Sequence, residues 1–580
     1  MKSTWNFRGL ALAPLLVLIG ACSDQADQAQ AQAQAQTAAA ADAEPKQYAL
    51  VLANGTVVDG TGSEAYPADL GIEDGRIVAI GKLDGAAAGQ VIDVRGKVVA
   101  PGFIDVHSHA DRALDDPSTA SVEGFLRQGV TTSLYGVDGF LDLEHMQRYA
   151  TLGEQGGMGT NFMAYIGHNA VRREVMELEN REPDAAELQR MQDLVKAAMD
   201  FGAVGLSTGL MYLPGSYAST EEVVALAKVT APYGGVYDSH VRDPAKNLLA
   251  SHQECLDIGL AAGVDPHPGH IKAVGAANFG KGPDIVRLVE AGIARGQNVT
   301  VDLYPYDGAA TAPVIALLYP GDDERGKALR QRMAGIMRNE PAAGDTMEQL
   351  TQDLRQYWRD TAGQPEVLAD ARAITEEPPE GLYSWVEVVG YQSMRIVVSE
   401  NQEYEGRMVV DLAEDLDITP FELYRQLIVA EGDNAMVTLG AIQEDDIRIV
   451  MRQPWAMISS DGAEVDPEHP RGRGTFPRVL GRYVREWGVL SLEEAVHKMS
   501  GLPAQYLKLT DRGVLREGAV ADIVVFDPET VIDRATWAEP ALYAEGVEHV
   551  FINGDAALLH GAVTEQRLGR FVPFAPGAAR

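Results

Sequence analysis

The chain has 580 residues, with 48 Lys plus Arg against 84 Asp plus Glu and a formal charge of −36. Hydrophobic residues make up 46% and charged residues 23%, which allows a large buried core and excludes a mostly disordered chain. The acidic balance argues against a nucleic-acid partner, which needs clustered Lys and Arg, and two cysteines cannot build a disulfide framework.

Lys2 and Arg8 precede an apolar run over 9–21. That run is too short to cross a bilayer, which takes ~20 apolar residues, and has the size and flanks of a secretory signal over residues 1–21. It ends Leu18-Ile19-Gly20-Ala21-Cys22, which resembles the lipobox of bacterial lipoproteins. The resemblance implies cleavage before Cys22 and acylation of that cysteine, and Ser23 after it implies the outer membrane, with the body facing the periplasm. An ordinary signal peptide with a chance cysteine is the alternative. Residues 22–46 then run largely in Ala, Gln and Asp with no hydrophobic face at either period, a solvated tether.

From 47 to 100 the pattern is short strands and turns. An apolar stretch over 48–53 meets Asn54-Gly55, a hairpin-type turn signal, and strand character resumes over 56–58. Asp74-Gly75 divides 70–72 from 76–80 as a second hairpin. The C-terminal part, 510–580, looks alike, with strands at 521–526 and 547–552 before Asn553-Gly554. Two β-rich ends flanking a long α/β middle predict one small β domain built from both termini.

The middle, 101–509, alternates apolar strands with helical segments. Strands are predicted at 102–106, 130–135, 161–166, 203–206, 235–239, 264–268, 298–304 and 455–460; Pro266 and Pro268 make the sixth the poorest. Eight β-α units predict an α/β fold, a (β/α)8 TIM-like barrel. The interval from about 307 to 454 is far longer than a normal connection. It carries helical patterns over 323–336 and 346–359 and a strand-like stretch over 386–398, and reads as an inserted lid over the active-site face.

Active sites of such barrels lie at the C-terminal ends of the strands. Strand one ends Asp105-Val106-His107-Ser108-His109, and the period of two places His107 and His109 on one face. Strand five ends in His240, strand six runs into His270, and strand eight ends Ser459-Ser460-Asp461-Gly462. For one such histidine a hydrogen-bonded core role is the simpler reading; four imidazoles and a carboxylate at matching strand ends predict a divalent metal site. His145, His252, His497 and His560 fall in helical or loop contexts, and His168 ends strand three as either a supporting or a structural residue.

Pro101-Gly-Phe-Ile-Asp-Val-His-Ser-His-Ala-Asp111 resembles the amidohydrolase superfamily. Gly205-Leu-Ser-Thr-Gly-Leu-Met-Tyr-Leu-Pro-Gly-Ser-Tyr217, Ser239-His-Val-Arg242, Gly269-His-Ile-Lys272, Asp302-Leu-Tyr-Pro-Tyr306 and His469-Pro-Arg471 narrow it to the D-aminoacylases, or N-acyl-D-amino-acid deacylases. The resemblance covers essentially everything from 47 onward. It implies an amidohydrolase-type barrel binding one or two ions, zinc first. The tighter ion would be held by His240, His270 and a cysteine after strand two, the weaker by His107, His109 and Asp461. Here Gly136-Val137-Asp138-Gly139 puts Asp138 where that thiolate belongs. Carboxylate is a harder ligand than thiolate and suits oxygen-preferring metals. Asp138 is therefore either a replacement ligand or a turn residue in a site that has lost its tight ion. Cys255 lies in a helical segment and offers no substitute.

The resemblance further implies that Asp461 shuttles the proton from water to the leaving nitrogen, and that Arg471, Lys272 and Tyr212 bind the substrate carboxylate. The expected reaction is metal-dependent hydrolysis of N-acyl-D-amino acids to a carboxylate and a free D-amino acid. The expected partners are that small molecule and, through the lipid anchor, a membrane. Two other readings stand beside it: the same machinery acting on another amide, cyclic amide, dipeptide or lactone, and an inactive surface-binding lipoprotein.

Overall fold

The computed structural model describes residues 47–83, 87–337, 346–379, 382, 384–440, 442–465 and 469–575. The signal segment, Cys22 and the tether lie outside the described residues.

The two chain ends share one nine-stranded sheet. The long first strand, Gln47–Val57, alternates buried and exposed side chains, the mark of a sheet with one covered face. It pairs antiparallel with Tyr66–Glu73, which turns at Asp74-Gly75 into Arg76–Gly81 as the sequence predicts. On its other side Gln47–Val57 runs parallel to Ala87–Asp93 and to Val98–Pro101. Val98–Pro101 then joins the C-terminal strand Ile523–Phe526, followed by Val547–Ile552, Asp555–Leu559 and Ala562–Val563. Leu52, Val57, Leu70, Ile77, Ile523 and Val525 form its core. One expectation fails: Asn54-Gly55 is no hairpin. Asn54 takes a left-handed backbone, φ 64°, and donates its N–H to Asp69 Oδ1 at 2.7 Å. The pairing slips between Leu52 and Gly55, so the signal marks a β-bulge inside a continuous strand.

All eight predicted barrel strands are present. Phe103–Asp105 pairs with Val130–Tyr135, which pairs with Asn161–Ala164. Ile166–Gly167 continues the third strand and pairs with Gly205–Gly209, then Val236–His240, then Asp265–Pro268. Val301–Leu303 pairs with Ala456–Ile458. Asp265–Pro268 survives its two prolines because it lies at the end of its hydrogen-bonded ladder, where a missing N–H is tolerated. The ring closes where Asp461 N–H donates to His107 O at 2.8 Å and His109 N–H to Gly462 O at 2.9 Å. Ile271 N–H likewise donates to Asp302 O at 2.8 Å, tying strand six to strand seven.

Between strands seven and eight the chain builds a separate body. A three-stranded antiparallel sheet of Gly308–Pro313, Met436–Gly440 and Met394–Val398 packs with helices that include Glu324–Met337, Met347–Asp360 and Pro420–Glu431. Its core, around Tyr357, Trp358, Leu354 and Tyr424, is distinct from that of the barrel. The stretch read as one strand over 386–398 divides into a helix, Trp385–Val389, and a strand, Met394–Val398. Ser384 caps the helix by accepting from Glu387 N–H, a local signal that outweighs the β-branched run.

Candidate metal centre and active site

The sequence-predicted donors meet at the C-terminal mouth of the barrel. His107 and His109 follow strand one, Asp138 follows strand two, His240 ends strand five, His270 follows strand six and Asp461 follows strand eight. They form three overlapping groups: His107, His109 and Asp138; His107, His270 and Asp461; Asp138, His240 and His270. In each group the donor atoms lie within 4.8 Å of one another.

Asp138 is the hinge of this arrangement. Its Oδ1 stands 3.5 Å from His107 Nε2, from His240 Nδ1 and from His270 Nε2, and its Oδ2 stands 3.5 Å from His109 Nε2. Asp461 Oδ1 faces the same cluster, 3.2 Å from His109 Nε2 and 3.7 Å from His107 Nε2. Three of these residues depart from ordinary backbone: Asp138 at φ 59°, His270 at φ 34° and Asp461 at φ 47°. Left-handed backbone at non-glycine residues is strained and clusters at functional sites.

A divalent ion fits these donors. His107 Nε2, His240 Nε2 and Asp138 Oδ1 are buried with no hydrogen-bond partner among the described residues, an arrangement proteins avoid unless something else satisfies those atoms. Imidazole and carboxylate together suit zinc and its neighbours. Cys255 is buried in the helix Leu248–Ala262 and takes no part in the three groups.

The electrostatics follow from burial and from the carboxylates. Burial alone would lower His107 and His109, but Asp302 and Asp138 raise His107 to about 10, and Asp138 and Asp461 raise His109 to about 9. His270, buried and facing Lys272, falls to about 3. Burial would raise Asp461, yet the Arg471 guanidinium holds it well below the usual carboxylate range. Burial lowers Lys272 to about 8.

The predicted carboxylate-binding residues are at hand. Tyr212 Oη lies 3.3 Å from His240 Nδ1. Lys272 Nζ donates to His270 O at 3.0 Å and lies 5.5 Å from the centre of the Tyr304 ring. The Arg471 guanidinium stacks on the same ring at 4.7 Å. Its Nη1 is 2.9 Å from Asp461 Oδ2 and donates to Ala309 O at 3.1 Å, so Arg471 steadies Asp461 as well as presenting a cation. A cavity of about 1040 Å³ opens beside Tyr212, walled by Leu210 and Met211 from the barrel and by Tyr319, Leu382 and Trp385 from the inserted body.

His168 proves structural: buried, it bonds Glu222 Oε1 at 2.9 Å, and Arg172 pairs with the same carboxylate. Three buried residues beneath the donors escaped the sequence reading. Asp105 accepts from Ser460 N–H at 2.9 Å and is pushed up by burial to about 7. Asp302 and His267 bond each other at 2.8 Å. The period that paired His107 with His109 also runs back to Asp105, and Asp302 opens the Asp302-Leu-Tyr-Pro-Tyr306 stretch. Both signals were available; His267, alternating with two prolines, carried none.

The amidohydrolase family matches residues 90–231 and 421–556. A D-aminoacylase from Alcaligenes xylosoxydans xylosoxydans is 33% identical over 91% of this chain and 98% of its own length. An N-acyl-D-glutamate deacylase from the same organism is 31% identical over 90% of this chain and 96% of its own. Among solved structures, the N-acyl-D-glutamate deacylase of Bordetella bronchiseptica, complexed with zinc and a phosphonate mimic of the tetrahedral intermediate, superposes with a TM-score of 0.69. It is 30% identical, over 91% of this chain and all of that one. On this likeness, spanning nearly the whole length, the chain belongs to the D-aminoacylase and N-acyl-D-glutamate deacylase family of amidohydrolases.

Proposed function

We propose that the protein hydrolyses the amide bond of N-acyl-D-amino acids, releasing a carboxylic acid and a free D-amino acid. The observation that carries this reading is the convergence of His107, His109, Asp138, His240, His270 and Asp461 at one barrel mouth, with two cations beside them. The D configuration rests on the relatives, which are a D-aminoacylase and deacylases of N-acyl-D-glutamate and N-acyl-D-aspartate.

His240, His270 and Asp138 would hold one ion, and His107, His109 and Asp461 would contribute to holding a second. A divalent ion held there supplies the Lewis acidity that activates water and polarises the scissile carbonyl. Asp461 does the proton work. Its Oδ1 turns to the cluster while Arg471 holds Oδ2, so one oxygen is aimed and the other anchored. It takes the proton from water at Oδ1 and delivers it to the departing nitrogen, which could not leave as an anion. Arg471 and Lys272, with the Tyr212 hydroxyl, neutralise the substrate carboxylate, and a charged group buried without such partners would not stay bound. Carboxylate in place of thiolate at Asp138 moves the site's preference from zinc towards harder ions such as manganese.

The N-terminal sequence supports a signal peptide over 1–21, acylation of Cys22 and anchoring to the outer membrane with the catalytic body in the periplasm. Incubating the protein, supplied in turn with zinc, cobalt and manganese, with N-acetylated D- and L-amino acids tests the reaction. Release of free D-amino acid alone supports it, and no release from any member of the panel refutes it.

A further inference from the structure

Below the donor plane one carboxylate is spent entirely on holding other residues. Asp302, in strand seven, is fully buried. Its Oδ1 accepts the backbone N–H of His270 at 2.8 Å and the ring of His267 at 2.8 Å. His107 Nδ1 lies 3.9 Å from the same oxygen. Oδ2 accepts the hydroxyl of Ser459, next to strand eight. Strands six, seven and eight therefore meet on a single side chain, with His107 of strand one facing it beyond hydrogen-bond distance.

The tautomers follow from the partners. An ionised carboxylate only accepts, so His267 donates through Nε2 to Asp302, and its Nδ1 is paired with Thr300 Oγ1 at 2.9 Å. His267 is thereby fixed at both ends and cannot turn to the donor plane. His107 presents Nδ1 to Asp302 and Nε2 to Asp138 and Asp461. The approach is close: a Cβ at Gly269 would sit 2.8 Å from Asp238 Oδ1 and 3.2 Å from His107 Nδ1, so only glycine lets the chain pass on its way to His270. The N–H that Asp302 captures belongs to His270, whose φ of 34° needs such a restraint to persist.

We propose that Asp302 is a positioning residue: this one buried carboxylate ties down the backbone of His270 by a hydrogen bond and faces Nδ1 of His107 with its charge, and so helps to aim two imidazoles that between them enter all three donor groups. It touches neither substrate nor ion. Groups that support metal ligands from outside the donor set are worth ~10–100-fold in metal affinity. The inference rests on the metal-binding reading of His107 and His270 given above, and its test therefore uses metal without substrate.

Asp302→Asn keeps the shape, removes the charge and replaces one acceptor oxygen by a donor. The full chain and this variant are titrated with cobalt(II) alone against a competing chelator, and the visible absorption of the bound cobalt is recorded. Melting of the metal-free proteins is followed in parallel. The expected result is cobalt affinity weakened by about 10–100-fold with shifted visible bands, and, in assays with saturating cobalt, a fall in kcat with KM little changed. Unaltered affinity and unaltered bands in a folded Asp302→Asn protein would overturn the proposal. Ser459→Ala is the gentler second variant, leaving the charge and removing one donor. It is expected to weaken cobalt by about 2–10-fold, and an unchanged affinity there would overturn the proposal even where Asp302→Asn does not fold. A wild-type protein that takes up no cobalt overturns both this inference and the metal-dependent reading. One that binds cobalt but cleaves no N-acyl amino acid overturns the deacylase reading alone.

Discussion

The barrel mouth and the inserted body that borders it solve different problems. At the mouth, six donors come from five places in the chain, all but the partly exposed His109 buried, among charges that oppose or reinforce one another. The inserted body, over about 307–454, owes its order to an ordinary apolar core around Trp358 and Tyr424. The family match takes in His107, His109, Asp138 and Asp461 at the mouth and largely skips the insertion, leaving 232–420 unmatched, His240 and His270 included. The contrast is a division of construction: the mouth gathers polar donors at strand ends, and the insertion adds Tyr319, Leu382 and Trp385 to the wall of the cavity beside Tyr212.

That division breaks or sharpens under substitution. Asp138→Ala, which removes the carboxylate common to two of the donor groups, is expected to release the ion and lower kcat/KM by on the order of 10⁴-fold, read by metal analysis and turnover. Asp138→Cys should regain activity with zinc ahead of manganese. Asp461→Asn should lower kcat by about 10²–10⁴-fold while the ion held by Asp138, His240 and His270 is retained, and full activity would remove Asp461 from proton transfer. Arg471→Ala should raise KM for carboxylate-bearing substrates by about 10–100-fold, and an unchanged KM would detach it from the substrate carboxylate. In the insertion, Trp385→Ala should reorder a panel of acyl groups and side chains by about tenfold in kcat/KM with metal content unmoved. A uniform fall across the panel would erase the distinction between the two regions.

The smallest effect lies in the barrel wall. Buried His252, bonded through Nδ1 to Leu248 O at 2.6 Å, is lowered by burial from 6.5 to about 4. The folded state resists a proton that the unfolded chain accepts, so stability falls as pH drops from 6.5 towards about 4 and is unaffected above that window. His252→Gln should flatten the fall by about 1–3 kcal/mol in denaturant titrations at pH 7 and pH 4, and an unchanged slope would show that His252 titrates alike in both states.

Much of the mouth was legible because strand-end residues obey a simple period. His107 and His109 share a face by alternation, and eight apolar runs foretell the ring that brings His240, His270 and Asp461 around to meet them. Asp138 stood out only against the family's thiolate, since its backbone, φ 59° between two left-handed glycines, follows no strand or helix period. Asp302 and His267 were hidden because their partners come from Thr300, Ser459, His107 and His270, pairings that exist only once the barrel closes. At Asn54 a turn signal was read at face value; the tertiary bond to Asp69 made it a bulge. Within the insertion, Val386, Val388 and Val389 are β-branched yet helical, because the Ser384 cap and packing into a private core overrule propensity.

The central claim is that His107, His109, Asp138, His240, His270 and Asp461 surround a divalent cation. Diffraction from crystals of the full-length protein, recorded on both sides of a metal absorption edge, tests it most directly. Anomalous density between Asp138 and the four imidazoles, lost in Asp138→Ala crystals grown with the same metal, is the expected result. Bare density there after growth in zinc, cobalt and manganese, with the donor side chains turned onto one another, would contradict it.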